Sequence, residues 1–249
     1  MPAISTSLKP RLLSDANDPI HSFNNSLILF HSPHVSGYSF CVIALLDYGS
    51  GNLRSVEKAL KKVGADVHVT QSPSGIDGAR GLVLPGVGAF DDCVNAMGRQ
   101  ELLNATREWI RSGKPFLGIC VGYQALFDSS EEFNSCAAGL GVFKGKVVRF
   151  PQHNGLKVPQ IGWNQLDIAQ TNCPLYQGIQ SGSYVYFVHS FFPQPVDQSI
   201  VATRTTYGET FASSVWQGNV FATQFHPEKS QNVGLQLLQN FVELAEATH

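Results

Sequence analysis

The chain predicts an α/β fold built on a mostly parallel sheet, and three features of its 249 residues lead there. Short, continuously apolar runs ("VIALLDY", "GLVLP", "PFLGI") lack the alternation of a half-exposed strand and suit strands covered on both faces. Stretches with helical spacing separate them, the order expected of a parallel sheet flanked by helices. From Gly139 onward the texture changes to short β-rich runs divided by turn residues, which adds antiparallel strands.

In chain order, Val42 to Tyr48 reads as the first buried strand, and "GSGN" turns it into a helix where Leu53, Val56, Leu60 and Val63 recur at helical spacing. "DVHVT" and "GLVLP" are the next strands. A helix follows around Leu102 to Arg111, with Gly113 and Pro115 at its end. "PFLGI" is another buried strand, and Gly122 to Phe127 begins another helix. "GKVVRF", "YVYFVHSFF", "SIVATRTT", "TFASSVW" and "NVFATQF" supply the antiparallel additions. An amphipathic helix from about Asn232 closes the chain, with Val233, Leu237, Leu238, Phe241, Val242 and Ala245 as one stripe.

With 43% hydrophobic and 14% charged residues, the chain buries a sizeable core. A net charge of -2 gives no basic excess to meet phosphates, which argues against nucleic acid as the main partner. No apolar run approaches the roughly 18 residues that span a bilayer. Cys41, Cys93, Cys120, Cys136 and Cys173 are odd in number and without CxxC spacing, so neither a disulfide framework nor a metal site is expected, and a reducing cytoplasm fits. Residues 1–41, rich in Ser, Asn, Pro and His, are expected to be a disordered extension or the product of an unused start codon, with a transit peptide as the other reading. The globular domain is expected over residues 42–249. "GSG" after the first strand lacks the third glycine of a dinucleotide fingerprint, that position being Arg54, and a tight turn accounts for it.

Gly118-Ile119-Cys120-Val121-Gly122 has the form of a nucleophile elbow. Glycines two residues either side relieve a sharp strand-to-helix turn, the following helix aims its N-terminus at the sulfur, and the Val121 N–H is left facing an oxyanion. A thiol nucleophile needs a proton shuttle, and "TQFHPEKS" offers one. Pro227 biases His226 toward an extended conformation, in which residues i and i+2 share a face, so Glu228 can fix the His226 imidazole. The other reading of Cys120 is a small core residue. α/β-Hydrolases order their triad nucleophile, acid, histidine, whereas here the acid follows the histidine.

Carried by "GICVGYQ" and "HPE", residues 42 to about 245 resemble the class I (triad) glutamine amidotransferases. "DYGSGNL", "LPGVGAF", "ALFDSSEE", "VPQIGWN", "YFVHSF" and "TQFHPEKS" extend the resemblance, within that class, to the glutaminase subunits of imidazole glycerol phosphate synthase. The resemblance implies the class I fold and a triad of Cys120, His226 and Glu228. It implies an oxyanion strand at Pro85 to Gly88, in which Gly86 and Gly88 leave the backbone free to turn the Val87 N–H inward as a second donor. It further implies glutamine contacts from Gly86, Gln124, Glu132, Tyr186, His189 and Ser190. Lys229 is expected at a partner interface, with Asn52 and Arg54 near it.

No cofactor or metal is implied. The reaction implied is hydrolysis of L-glutamine through a cysteine thioester, with ammonia passed to a (β/α)8-barrel cyclase subunit that converts PRFAR to imidazole glycerol phosphate and AICAR. A barrel needs about 250 residues, so that partner is expected to be a separate chain. An inactive domain kept for binding a partner is the competing expectation.

Overall fold

The computed structural model describes residues 42–49, 51–151 and 155–248. The expectations for residues 1–41, Cys41 among them, lie outside the described residues. In chain order the elements are β1 (Val42–Leu46), α1 (Leu53–Lys62), β2 (Asp66–Thr70), β3 (Gly81–Leu84), α2 (Phe90–Arg99), α3 (Leu102–Arg111), β4 (Phe116–Ile119) and α4 (Val121–Gln124). They continue with β5 (Ser129–Ser130), β6 (Gly145–Arg149), β7 (Gln160–Gln165), β8 (Asp167–Ile168), β9 (Tyr184–His189) and β10 (Phe191–Pro195). β11 (Val201–Tyr207), β12 (Glu209–Gln217), β13 (Val220–Thr223) and α5 (Gln231–Ala247) complete the chain.

Eight strands form one sheet in the order β2-β1-β3-β4-β13-β12-β11-β8. The first five are mutually parallel, and the sheet turns antiparallel from β13 onward. β3, β4 and β13 are buried along their whole length, as their continuous apolar runs require of strands covered on both faces. α1 packs with α5, and α2 with α3 and α4. Two smaller sheets, β10-β6-β5 and β7-β9, are joined to the large one through aromatic contacts of Phe187 and Phe192 with Phe211 of β12. No helix among the described residues is long and apolar enough to cross a membrane.

Three local expectations are corrected. The run "YVYFVHSFF" is two strands, broken at Ser190: β9 pairs with β7 and β10 with β6. The helix after the cysteine is a single turn, Val121–Gln124, so it carries far less N-terminal dipole than a full helix. Phe90–Arg99, left without an element by the sequence reading, is a helix that buries Phe90, Cys93, Val94 and Met97 on one side.

The elbow depends on close backbone approach. A Cβ at Gly122 would stand 2.0 Å from the Leu84 carbonyl oxygen, and one at Gly118 would stand 2.7 Å from the Gly122 oxygen. Between these glycines Cys120 takes φ 54, a left-handed conformation that costs a non-glycine residue about 1–3 kcal/mol and is held by its surroundings. Gly122→Ala is expected to lower the unfolding free energy by at least about 2 kcal/mol in urea denaturation. Gly98→Ala, inside α2 with nothing within 4 Å of the added carbon, is expected to raise it by about 0.5–1 kcal/mol.

Candidate active site

β4 ends at Ile119, so Cys120 sits at the edge of the sheet beside the strand that leads to His226. Its backbone N–H donates to the Thr223 carbonyl of β13 at 2.8 Å, which fixes the cysteine against the chain two residues before Phe225. Cys120 is 4% exposed, yet it lines a cavity of about 410 Å³ together with His226. The same cavity is lined by Val87, Gly88, Val121, Gln124 and Glu132 from the elbow side, and by His189, Ser190 and Lys229 opposite.

His226 is held on both sides. Its backbone N–H donates to the Tyr186 carbonyl at 2.9 Å, and its own carbonyl accepts from Ser230 Oγ at 2.6 Å. Its Nδ1 donates to Glu228 Oε1 at 2.8 Å, with both side chains buried. Asn52 Nδ2 donates to that same Oε1 at 2.8 Å, from a left-handed φ of 68 at the start of α1. Asparagine adopts that conformation more readily than other side-chain-bearing residues. The Asn52 carboxamide is therefore turned onto Glu228.

His226 Nε2 is buried and makes no hydrogen bond. Burial opposes charge on the ring, but the Cys120 sulfur beside it and the Glu228 carboxylate outweigh that and push its pKa up to about 10. A protonated imidazole next to the sulfur is the arrangement a cysteine nucleophile uses. The other buried thiols are different: burial pushes Cys93 and Cys173 up to about 12, so both stay protonated and inert.

The remaining expected residues divide. Glu132 Oε2 accepts from the Phe90 N–H at 2.8 Å, and burial raises its pKa. Gln124 Nε2 donates to the Phe191 carbonyl at 3.1 Å. His189 Nδ1 donates to that carbonyl at 2.8 Å, while its Nε2 lies 3.0 Å from the Gln160 carboxamide. Burial lowers the His189 pKa to about 3, so the ring is neutral. Gly86 lies beneath the cavity, where an added Cβ would stand 2.7 Å from Val121 Cβ. Its carbonyl accepts the Val121 N–H at 3.4 Å. Gly88 has φ +95. The Tyr186 ring, which is not among the cavity-lining residues, lies against Trp163, centroids 6.0 Å apart, and its backbone carbonyl accepts from His226. Arg54 is exposed on α1.

The sequence reading passed over Gln224, which is fully buried with Nε2 3.7 Å from Cys120 Sγ and Oε1 accepting from Gln124 at 3.3 Å. The signal was present: the i, i+2 reasoning that pairs His226 with Glu228 pairs Gln224 with His226 as well. It also passed over Pro159, Val188 and Phe191, apolar wall residues of the cavity.

Residues 44–244 match the family model described as "Glutamine amidotransferase class-I". The chain is 51% identical over 208 residues to the "Imidazole glycerol phosphate synthase subunit HisH" of Syntrophotalea carbinolica, covering 82% of this chain and 100% of that one. It is 47% identical to the protein of that name from Geobacter sulfurreducens, over 81% of this chain and 98% of the other. A solved structure described as "Crystal structure of glutamine amidotransferase" superposes with a TM-score of 0.65 at 22% identity, covering 82% of this chain and 99% of that one, and establishes likeness of fold.

His226 binds its proton more tightly in the folded chain than at the ordinary 6.5, so its stabilising contribution is complete below about pH 6.5 and is lost as pH climbs through about 10. In histidine NMR titrations His226 is expected to stay charged at pH 8. In Cys120→Ala it should titrate well below its value in the parent, because the sulfur is a principal source of the rise.

Proposed function

The chain belongs to the class-I glutamine amidotransferase family, among the HisH subunits, and from that premise we propose that it is the glutaminase of an imidazole glycerol phosphate synthase. The single observation that carries the reading is the buried His226–Glu228 pair at 2.8 Å, with His226 lining the same cavity as Cys120. Residues 42–249 act as a single amidotransferase domain, and the setting is the cytoplasm.

Cys120 attacks the glutamine side-chain amide, forming the C–S bond, and the carbonyl π electrons move to oxygen. Collapse of that intermediate breaks the C–N bond while His226 passes its proton to the departing nitrogen, which leaves as ammonia. Water, deprotonated by His226, then cleaves the thioester to glutamate and restores the thiol. Glu228 keeps the imidazole oriented throughout. Gln124, Glu132, His189 and Ser190 surround the glutamine, with the Glu132 carboxylate suited to its α-amino group.

The oxyanion needs donors, and the resting arrangement withholds one: the Val121 N–H is turned onto the Gly86 carbonyl. Rotation of the strand from Pro85 to Gly88 would release Val121 and present the Val87 N–H, with Gly88 free to take up the change in backbone angle.

Ammonia is passed to a (β/α)8-barrel cyclase subunit in a separate chain, where PRFAR becomes imidazole glycerol phosphate and AICAR. The outer face of β7 and β9 supports a docking surface: Ile161 is 63% exposed, Tyr184 54% and Trp163 45%, an apolar patch beside the cavity rim. Lys229 stands at that rim with Nζ 5.9 Å from the Tyr186 ring, placed to meet an acidic group of the partner.

Glutamine turnover is expected to be weak in the chain alone and to rise by roughly a hundred- to thousand-fold with the barrel subunit and its nucleotide, the range one oxyanion donor supplies. Equal turnover with and without the partner would sink the gating part of this reading. Cys120→Ala should abolish glutamine-dependent synthesis while added ammonium salts restore it. Asn52→Gly tolerates the left-handed backbone but removes the donor to Glu228. It is expected to lower kcat about tenfold with KM little changed, read from steady-state kinetics of the complex.

A further inference from the structure

The sulfur of Cys120 has a neighbour that neither the elbow nor the triad accounts for. Gln224 is completely buried, one strand residue beyond β13, and its Nε2 is 3.7 Å from Cys120 Sγ. The orientation of this amide is fixed by a chain of contacts that starts at a backbone group. The Phe191 carbonyl can only accept, so the Gln124 terminus 3.1 Å from it is the NH2. That NH2 also faces Gln224 at 3.3 Å, so Gln224 presents its oxygen there. Its own NH2 is therefore the end directed at the sulfur.

We propose that Gln224 is a further catalytic residue, whose carboxamide donates a hydrogen bond to Cys120 Sγ and favours the thiolate over the thiol. The proposal rests on Cys120 being the nucleophile. The helix that follows the cysteine is one turn long, so its dipole contributes little at this point and a side-chain donor adds to it. An N–H aimed at sulfur stabilises the charged form alone, since a thiol is a poor acceptor by comparison. The ionisable groups around the sulfur are His226 from the β13–α5 connection, Cys93 on α2, His189 at the end of β9, and Glu132 and Lys229 in the lining of the same cavity. Gln224 adds a donor whose strength does not vary with pH.

The test is the pH profile of Cys120 alkylation by iodoacetamide in the full chain, resolved by peptide mass spectrometry because Cys136 is also exposed. Gln224→Leu removes the donor, and Gln224→Glu removes it while keeping an oxygen toward Gln124. Both are expected to move the Cys120 midpoint upward by about one pH unit and to slow alkylation at neutral pH roughly tenfold. A Gln224→Leu midpoint within about 0.2 units of the parent overturns the proposal. So does a shift in Gln224→Leu that Gln224→Glu does not share, because the effect would then run through Gln124.

Should the variants not fold, NMR of the parent chain decides. The assigned Gln224 side-chain amide resonances move as pH crosses the Cys120 midpoint, and stationary resonances overturn the assignment. Alkylation requires neither glutamine nor a partner. A failure of the glutaminase reading would instead appear as absent turnover in the unmodified complex, so the two outcomes stay separate.

Discussion

The site depends on how closely two backbones approach where β3 ends beside the turn after β4. Gly122 lies so near the Leu84 carbonyl that no side chain fits, and Gly86 and Gly118 are similarly confined. With those contacts in place the chain can leave β4, force Cys120 to a positive φ and re-enter a helical turn within one residue. The strain is local and is balanced by a buried sheet on either side, which is the usual condition for keeping an unfavourable backbone angle in a folded protein. The presentation of the sulfur to the cavity follows from that placement.

Polar groups extend from this point in two directions. Toward α1, Glu228 Oε1 gathers donors from His226 and Asn52. Toward β10, Gln224 and Gln124 lead from the sulfur to the Phe191 carbonyl, which also receives His189. Buried polar groups are tolerable where their partners are supplied, and here most are. The exceptions are informative: His226 Nε2 and Glu228 Oε2 are buried without hydrogen bonds. The first belongs to the ring that lines the cavity with Cys120.

Much of the architecture was legible. The uniform apolar runs of β1, β3 and β4 mark strands covered on both faces, and the α1 and α5 stripes match their buried sides. The contact of His226 with Glu228 and the positive φ of Cys120 were legible too, because G-x-Cys-x-G and His-Pro-Glu each encode a local backbone geometry. What escaped depends on long-range proximity. Asn52 reads as a turn residue until α1 is seen to begin beside Glu228, 176 positions later. The contact of Tyr186 with Trp163 is invisible until β7 is paired with β9. The break at Ser190 is equally silent, since an aromatic run does not reveal that its two halves join different sheets.

One peptide segment links the outside of the molecule to the imidazole. Tyr186 receives His226 through its carbonyl and gives its N–H to Ser230 Oγ, which in turn bonds the His226 carbonyl, closing a small ring of hydrogen bonds. The same residue contributes its aromatic plane to the exposed ribbon of β7 and β9. A body resting on that ribbon would therefore lean, through a single amino acid, on the imidazole of His226. By thermodynamic reciprocity, any change it made to binding in the cavity would be matched by an equal change in its own grip when the cavity is filled.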